Sequence, residues 1–244
     1  MRTIQEGSLY QLTFMPRLFP VNCYLIEEEK ELTLIDAALP YSWKGIVAAA
    51  GAIGKPITRI VLTHAHDDHV GSLDRLKQLL PQAQVYLSAR DNRLLQGDLS
   101  LDEGESQGKI KGSVPKKLST RPDVLLQGGE NIGSLLTVPS PGHTPGSMSF
   151  YHSRTGHLMA GDAFQTRGGI AVSGHMQPLF PFPAMATWDA ASAISSAKQL
   201  LELRPSLLAV GHGELVRAPQ YALITAITRA ERSLLRRGVN SIVS

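Results

Sequence analysis

Apolar and polar positions fall into short blocks along the chain, and their periodicity assigns most elements. VNCYLIEE and ELTLIDAAL are strand-like runs flanking a charged turn at Glu28 to Lys30, and read as a hairpin. The small-residue stretch from Trp43 to Ala52 predicts a helix, and ITRIVLTH, apolar and β-branched, a buried strand. Val70, Leu73, Leu76 and Leu80 recur at helical spacing, with Pro81 closing that helix. AQVYLS is a further short strand. From about Gly97 to Arg121 the chain is polar and Gly-rich without clear periodicity, and a loop that long is usually a lid or a binding loop. Strands resume at VLLQ, SLLTV, SMSFYH and HLMAG. TWDAASAISSAKQLLEL predicts a helix with Thr187 as its N-cap, SLLAVGHG a last buried strand, and PQYALITAITRAERSLLRR a terminal helix with Pro219 near its first turn.

Strands thus occur in two blocks, each followed by helices. Two sheets packed face to face and covered outside by helices would satisfy this pattern within one domain spanning 1–244. Apolar residues make up 43% and charged residues 18%, enough to fill a real core. The formal net charge of +3 is too mild to argue for nucleic acid. Basic residues do cluster at Lys109, Lys111, Lys116, Lys117 and Arg121, and at Arg229, Arg232, Arg236 and Arg237. No aromatic residues interleave with them to stack on bases, so both groups read as solvated faces. No run approaches the ~20 apolar residues of a membrane span, and the N-terminal stretch lacks a signal-like core. A cytoplasmic protein with a small-molecule substrate is expected, its oligomeric state left open. Cys23, within VNCYLI, is expected to be a small buried side chain.

The chemistry is concentrated at strand ends. After ITRIVLT comes HAHDDH, which packs His64, His66, Asp68 and His69 into the turn between a strand and a helix. Imidazole and carboxylate are the donors that divalent zinc, manganese and iron accept. Burying this group without metal would leave several polar side chains to be satisfied at once, at ~1–3 kcal/mol for each failure. Further downstream, SPGHTPGS presents His143 in a proline-stiffened turn, HLMAGDAF places Asp162 after an apolar strand, and LLAVGHGEL sets His212 between two glycines.

In these motifs the chain resembles the metallo-β-lactamase fold superfamily: HxHxDH at His64 to His69, Gly-His at His143, Gly-Asp at Asp162, Gly-His at His212, and LIDAAL with its strand-end Asp36. The resemblance implies a four-layer αββα sandwich of the α+β class. It also implies two divalent ions, one held by His64, His66 and His143, the other by Asp68, His69 and His212, with Asp162 bridging and Asp36 supporting a ligand loop. Zinc is favoured by the His-rich donors, although manganese or iron suits them too.

Such an ion pair lowers the pKa of a shared water to about 7 and makes hydroxide available at neutral pH. The expected activity is that of a binuclear metal-dependent hydrolase attacking a carbonyl of an ester, thioester or lactone. Asp68 and Asp162 are then the catalytic carboxylates, Asp68 relaying the proton to the leaving group. His66, where the diiron flavoprotein branch carries Glu, argues against oxygen reduction, and the missing Tyr between Asp162 and His212 argues against acyl-homoserine lactonases. The short stretch after His212 argues against glyoxalase-type thioesterases. The alternative is a mononuclear-iron persulfide dioxygenase, to whose sequences GDAFQTRGG is similar. For the substrate pocket, Phe180, Phe182, Met185 and Trp188 are expected near the metal mouth, with His175 a further contact and Met15, Arg17 and Phe19 on the opposite rim.

Overall fold

Two sheets stand face to face in the computed structural model, which describes residues 1–243 and side-chain surroundings up to residue 236. Arg237, the last member of the second basic cluster, therefore lies outside the described side chains. The first sheet contains β1 (Arg2–Glu6), β2 (Leu9–Phe14), β3 (Val21–Glu27), β4 (Leu32–Ile35), β5 (Ile57–Val61), β6 (Gln84–Ser88) and β7 (Val124–Leu126), ordered as in the chain. Pairing is antiparallel from β1 through β4 and parallel from β4 through β7.

The second sheet draws on β8 (Asn131–Ile132), β9 (Leu135–Pro139), β10 (Met148–His152) and β11 (His157–Met159). A small ribbon, β12 (Phe164–Gln165) with β13 (Ala171–Val172), branches off before β14 (Leu207–Ala209) and β15 (Val216–Arg217) complete the sheet in the order β15-β14-β11-β10-β9-β8. Helices α1 (Trp43–Ile53), α2 (Asp67–Val70), α3 (Leu73–Leu79) and α4 (Ala89–Leu95) belong to the first half, and α5 (Phe182–Met185), α6 (Ala190–Glu202) and α7 (Gln220–Val243) to the second.

The period-2 alternation of strands divides the apolar side chains into three layers. On β3, Val21, Cys23 and Leu25 face the first helical layer, where they meet Ile46, Leu73 and Leu94. Tyr24 and Ile26 point the other way and pack between the sheets with Phe150, Met159 and Leu207. On the far side of the second sheet, Leu158, Leu208 and Val210 pack against Ile194 and Leu200 of α6 and Leu223 and Ile227 of α7. Helix, sheet, sheet, helix is the four-layer order, so the αββα architecture is met. Cys23 is fully buried, and burial pushes its thiol well above its ordinary range.

Several features differ from the sequence expectation, among them the helix expected from Val70 to Leu80, which is divided into α2 and α3. An N-terminal hairpin, β1 and β2, turns at Gly7–Ser8 and edges the first sheet. Helix α4 follows β6 directly. The cap of α6 is Asp189, whose carboxylate accepts Ser192 N at 2.7 Å, while Thr187 Oγ1 donates to Pro183 O at 2.6 Å. Thr187 stands two residues before the cap position, too far to reach the free N–H groups of the helix start. Residues 97–121 contain no helix or strand, and no helix among the described residues is long and apolar enough to cross a membrane. The basic residues from Lys109 to Arg121 and from Arg229 to Arg236 are exposed.

Candidate metal centre

All seven predicted ligands converge at one end of the sandwich. His64 follows β5, His66 precedes α2, and Asp68 and His69 lie within it. His143 comes from the β9–β10 turn, Asp162 from the 3-10 turn after β11, and His212 from the loop after β14. Their donor atoms form three groups, each within 4.8 Å: His64, His66 and His143; His64, His69 and Asp162; Asp68, His69 and His212. Asp162 ties the groups together, with Oδ1 3.4 Å from His69 Nε2, and Oδ2 3.4 Å from His143 Nε2 and 3.2 Å from His212 Nε2. Asp68 Oδ2 is 3.3 Å from His212 Nε2 and, unlike the buried imidazoles, keeps about a quarter of its side chain exposed.

Both sheets hold these loops. Asn22 N donates to Gly211 O, Asn22 Nδ2 donates to Val210 O and Gly213 O, and the Tyr24 hydroxyl donates to Val210 O at 2.6 Å. Gln11 Nε2 adds a bond to Gly213 O. The loop carrying His212 is therefore pinned by side chains of β2 and β3. Gly211 leaves room for Asp162, since a Cβ there would fall 2.0 Å from Oδ1.

Each imidazole has one ring nitrogen engaged by the protein. His64 Nδ1 faces Thr63 Oγ1 at 3.0 Å, His69 Nδ1 faces Asp36 Oδ2 at 2.8 Å, and His212 Nδ1 faces Pro20 O at 2.8 Å. His143 Nδ1 has Ser173 Oγ at 3.2 Å and Thr187 Oγ1 at 3.3 Å, and His66 Nε2 has Lys111 O at 3.0 Å. With the N–H assigned to those partners, the opposite nitrogen of each ring, in its neutral form, presents a lone pair to the cluster. His66 Nδ1 and His143 Nε2 then lie 3.0 Å apart with no hydrogen between them, a contact that a shared cation reconciles. Among the described residues, buried His64 Nε2 has no hydrogen-bond partner, and His69 Nε2 and Asp162 Oδ1 have only each other, at 3.4 Å. Orphaned donors of this kind are costly unless an ion engages them, so the residues fit divalent metal.

The electrostatics divide the rings. Burial, reinforced by His69, His66 and His143, drives His64 well below its ordinary pKa, and burial takes His143 down to about 3. Both are neutral, the form in which an imidazole can bind a cation. Burial works the same way on His69 and His212, but the carboxylates outweigh it. His69 rises well above its usual range beside Asp162, Asp36 and Asp68, and His212 rises to about 10 beside Asp162 and Asp68. Burial opposes ionisation of Asp162 and Asp68, yet these imidazoles hold both carboxyls well below the usual range. The three carboxylates give the cluster a field that attracts positive charge.

The mouth is a cavity of about 270 Å³, walled by Phe19, Phe182, Pro183 and Ala186 on one side and by Gly112 and Ser113 on the other, with His66, Asp68, His143, Asp162 and His212 on its floor. Phe19 packs on Phe182 and His212 at centroid distances of 5.2 and 5.1 Å. Phe180 is buried beneath them, 5.5 Å from the His212 ring. Met185 is exposed and outside the lining. Trp188 is buried, and its indole N–H donates to Gly108 O at 2.9 Å, so it holds the 97–121 loop. His175 lines a separate small depression with Ala230 and Leu234. Arg17 O accepts from Arg167 Nη2, and Met15 is exposed. Asp91, which the sequence reading passed over, is buried behind the ligand loops.

A family model described as the metallo-beta-lactamase superfamily matches residues 16–212. The Bacillus subtilis (strain 168) protein YobT is 59% identical over 232 residues, covering 95% of this chain and all of its own. YflN of the same organism, a probable metallo-hydrolase, is 29% identical, with 79% of this chain and 80% of its own covered. The crystal structure of TTHA1623 in a di-iron-bound form superposes with a TM-score of 0.64 at 27% identity, covering 87% of this chain and 96% of that one.

Proposed function

Because the chain belongs to the metallo-beta-lactamase superfamily, we propose that it is a binuclear metal-dependent hydrolase acting on the carbonyl of a small ester, thioester or lactone. The observation that carries this reading is the completeness of both donor sets around Asp162: three imidazoles on one side, Asp68, His69 and His212 on the other. Divalent ions bound there supply a Lewis acid and water of lowered pKa. Zinc is the favoured metal, and iron is consistent with the di-iron form of TTHA1623.

The chain's own residues do the rest. Asp162 reaches both donor sets and fixes their separation. The hydrogen bonds on the far ring nitrogens hold each imidazole in its tautomer and orientation. Asp68, ionised and partly exposed at the floor of the mouth, takes a proton from the nucleophile and returns it to the leaving group. Phe19, Phe182, Pro183 and Ala186 offer an apolar wall that favours an acyl or lactone substrate and excludes water. The 97–121 loop supplies the facing wall. The whole of 1–244 works as one catalytic domain, in the cytoplasm.

Elemental analysis combined with an ester, thioester and lactone panel tests this. Two metals per chain and a hydrolysis lost on chelation, or in Asp162→Ala, are expected. Activity surviving both would overturn the mechanism, and one iron per chain with oxygen consumption would replace it with the persulfide dioxygenase chemistry.

A further inference from the structure

Asp91 is fully buried at the third position of α4, yet its carboxylate is not used by its own helix. Ser88 caps α4, its Oγ accepting Asp91 N at 3.0 Å. In the usual capping box an acidic side chain at this position returns to the cap's backbone N–H. Here it turns outward and accepts three hydrogen bonds: from Ala65 N at 2.9 Å, from Thr144 Oγ1 at 2.7 Å and from Gly146 N at 2.8 Å. Ala65 lies between His64 and His66, and Thr144 follows His143. One carboxylate thus joins the two loops that carry the first donor set.

The approach is close. A Cβ on Gly146 would fall 2.5 Å from Asp91 N and 2.6 Å from Asp91 Oδ1, so only glycine lets the 140–147 turn reach the start of α4. Thr144 Oγ1 also contacts Ser147 Oγ at 2.7 Å, which leaves its proton for Asp91. Three donors on a buried carboxylate make charge-assisted bonds that a neutral side chain does not reproduce.

We infer that Asp91 is a positioning residue: by clamping Ala65 to Thr144 and Gly146, it sets the spacing of His64 and His66 against His143. The inference rests on the metal-centre reading and adds a specific asymmetry to it. The second donor set, Asp68, His69 and His212, has no bond to Asp91 among the described residues, so only one of two metal-binding steps should depend on it.

The test is cobalt(II) titration of the full chain, followed by its visible d–d spectrum and by competition with a chromophoric chelator. In Asp91→Asn the amide NH2 must face one set of donors. One binding step should weaken about 10- to 100-fold, the range for groups that orient metal ligands, with a changed spectrum, while the other step is retained. Thr144→Val, a milder change, should weaken the same step by a smaller factor. If Asp91→Asn does not fold, Thr144→Val decides. A folded variant with the wild-type isotherm and spectrum, or one that weakens both steps equally, overturns the role of Asp91. A wild-type chain that takes up no cobalt overturns the metal-centre reading itself, and this role with it.

Discussion

Asp36 Oδ2 accepts the Nδ1–H of His69 at 2.8 Å, and the same carboxylate takes Thr63 N and Thr63 Oγ1, also at 2.8 Å. One side chain therefore orients a ring of the second donor set and secures the residue before His64. Asp36 has φ of +63°, a conformation that Asp and Asn tolerate and most residues resist. Asp36→Asn keeps that backbone but sets an NH2 group against donors. We expect metal affinity to fall about 10- to 100-fold, by chelator competition. Asp36→Ala adds backbone strain and leaves buried donors unpaired, lowering stability by a further ~1–3 kcal/mol in denaturant unfolding.

Gly112 should be intolerant of any side chain. Its φ is +86°, and a Cβ there would fall 2.0 Å from His66 Nε2. His66 is buried and fixed by its neighbours, so the exposed loop must give way, breaking the Lys111 O contact. Gly112→Ala is expected to reduce kcat/KM at least about tenfold with only ~1–2 kcal/mol of strain, so thermal stability changes little while activity falls. A variant with normal kinetics on the substrate panel would count against the 97–121 loop as a pocket wall.

Trp188→Phe keeps an aromatic ring in the buried pocket but removes the N–H that holds Gly108 O. A loss of ~0.5–1.5 kcal/mol is expected. The sharper readout is limited proteolysis, which should cut within 97–121 several-fold faster in the variant than in the wild type.

The far end of the same loop is tied by Asp74, whose carboxylate accepts Ser119 N at 3.0 Å and Thr120 N at 2.7 Å. Burial opposes its ionisation, but bonds from Thr120 and Ser119 prevail and hold its pKa below the ordinary value. A depressed pKa stabilises the fold fully above the ordinary carboxylate value of about 4, and this contribution is lost as pH falls through the lower folded value. Asp74→Ala removes it at every pH. The variant and the wild type should therefore differ in stability at pH 7, and the gap should narrow as pH falls through the lower folded value, by urea midpoints.

Much of the layer order was legible because each inner strand alternates between two apolar environments, as β3 does with Cys23 and Tyr24. The convergence of candidate donors was legible because His64, His66, Asp68 and His69 crowd six positions of one turn. The N-terminal hairpin escaped notice because β1 is an edge strand of mixed, largely polar residues, and its one local signal was the two-residue Gly7–Ser8 turn between Glu6 and Leu9. Helix α4 is short and its marker was a capping serine three residues before Asp91. The roles of Trp188 and Asp91 depend on partners far along the chain, at Gly108 and at Ala65, Thr144 and Gly146, and no local pattern encodes those pairings.

The bonds from Gln11, Asn22 and Tyr24 to the loop around His212 have a consequence for assembly. A fragment ending before β8 would retain His64, His66, Asp68 and His69 but no partner from the second sheet, and the complementary fragment would hold His212 on an unpinned loop. Neither donor set is complete until the two halves have docked, so an ion held by a full set would rivet that docking shut.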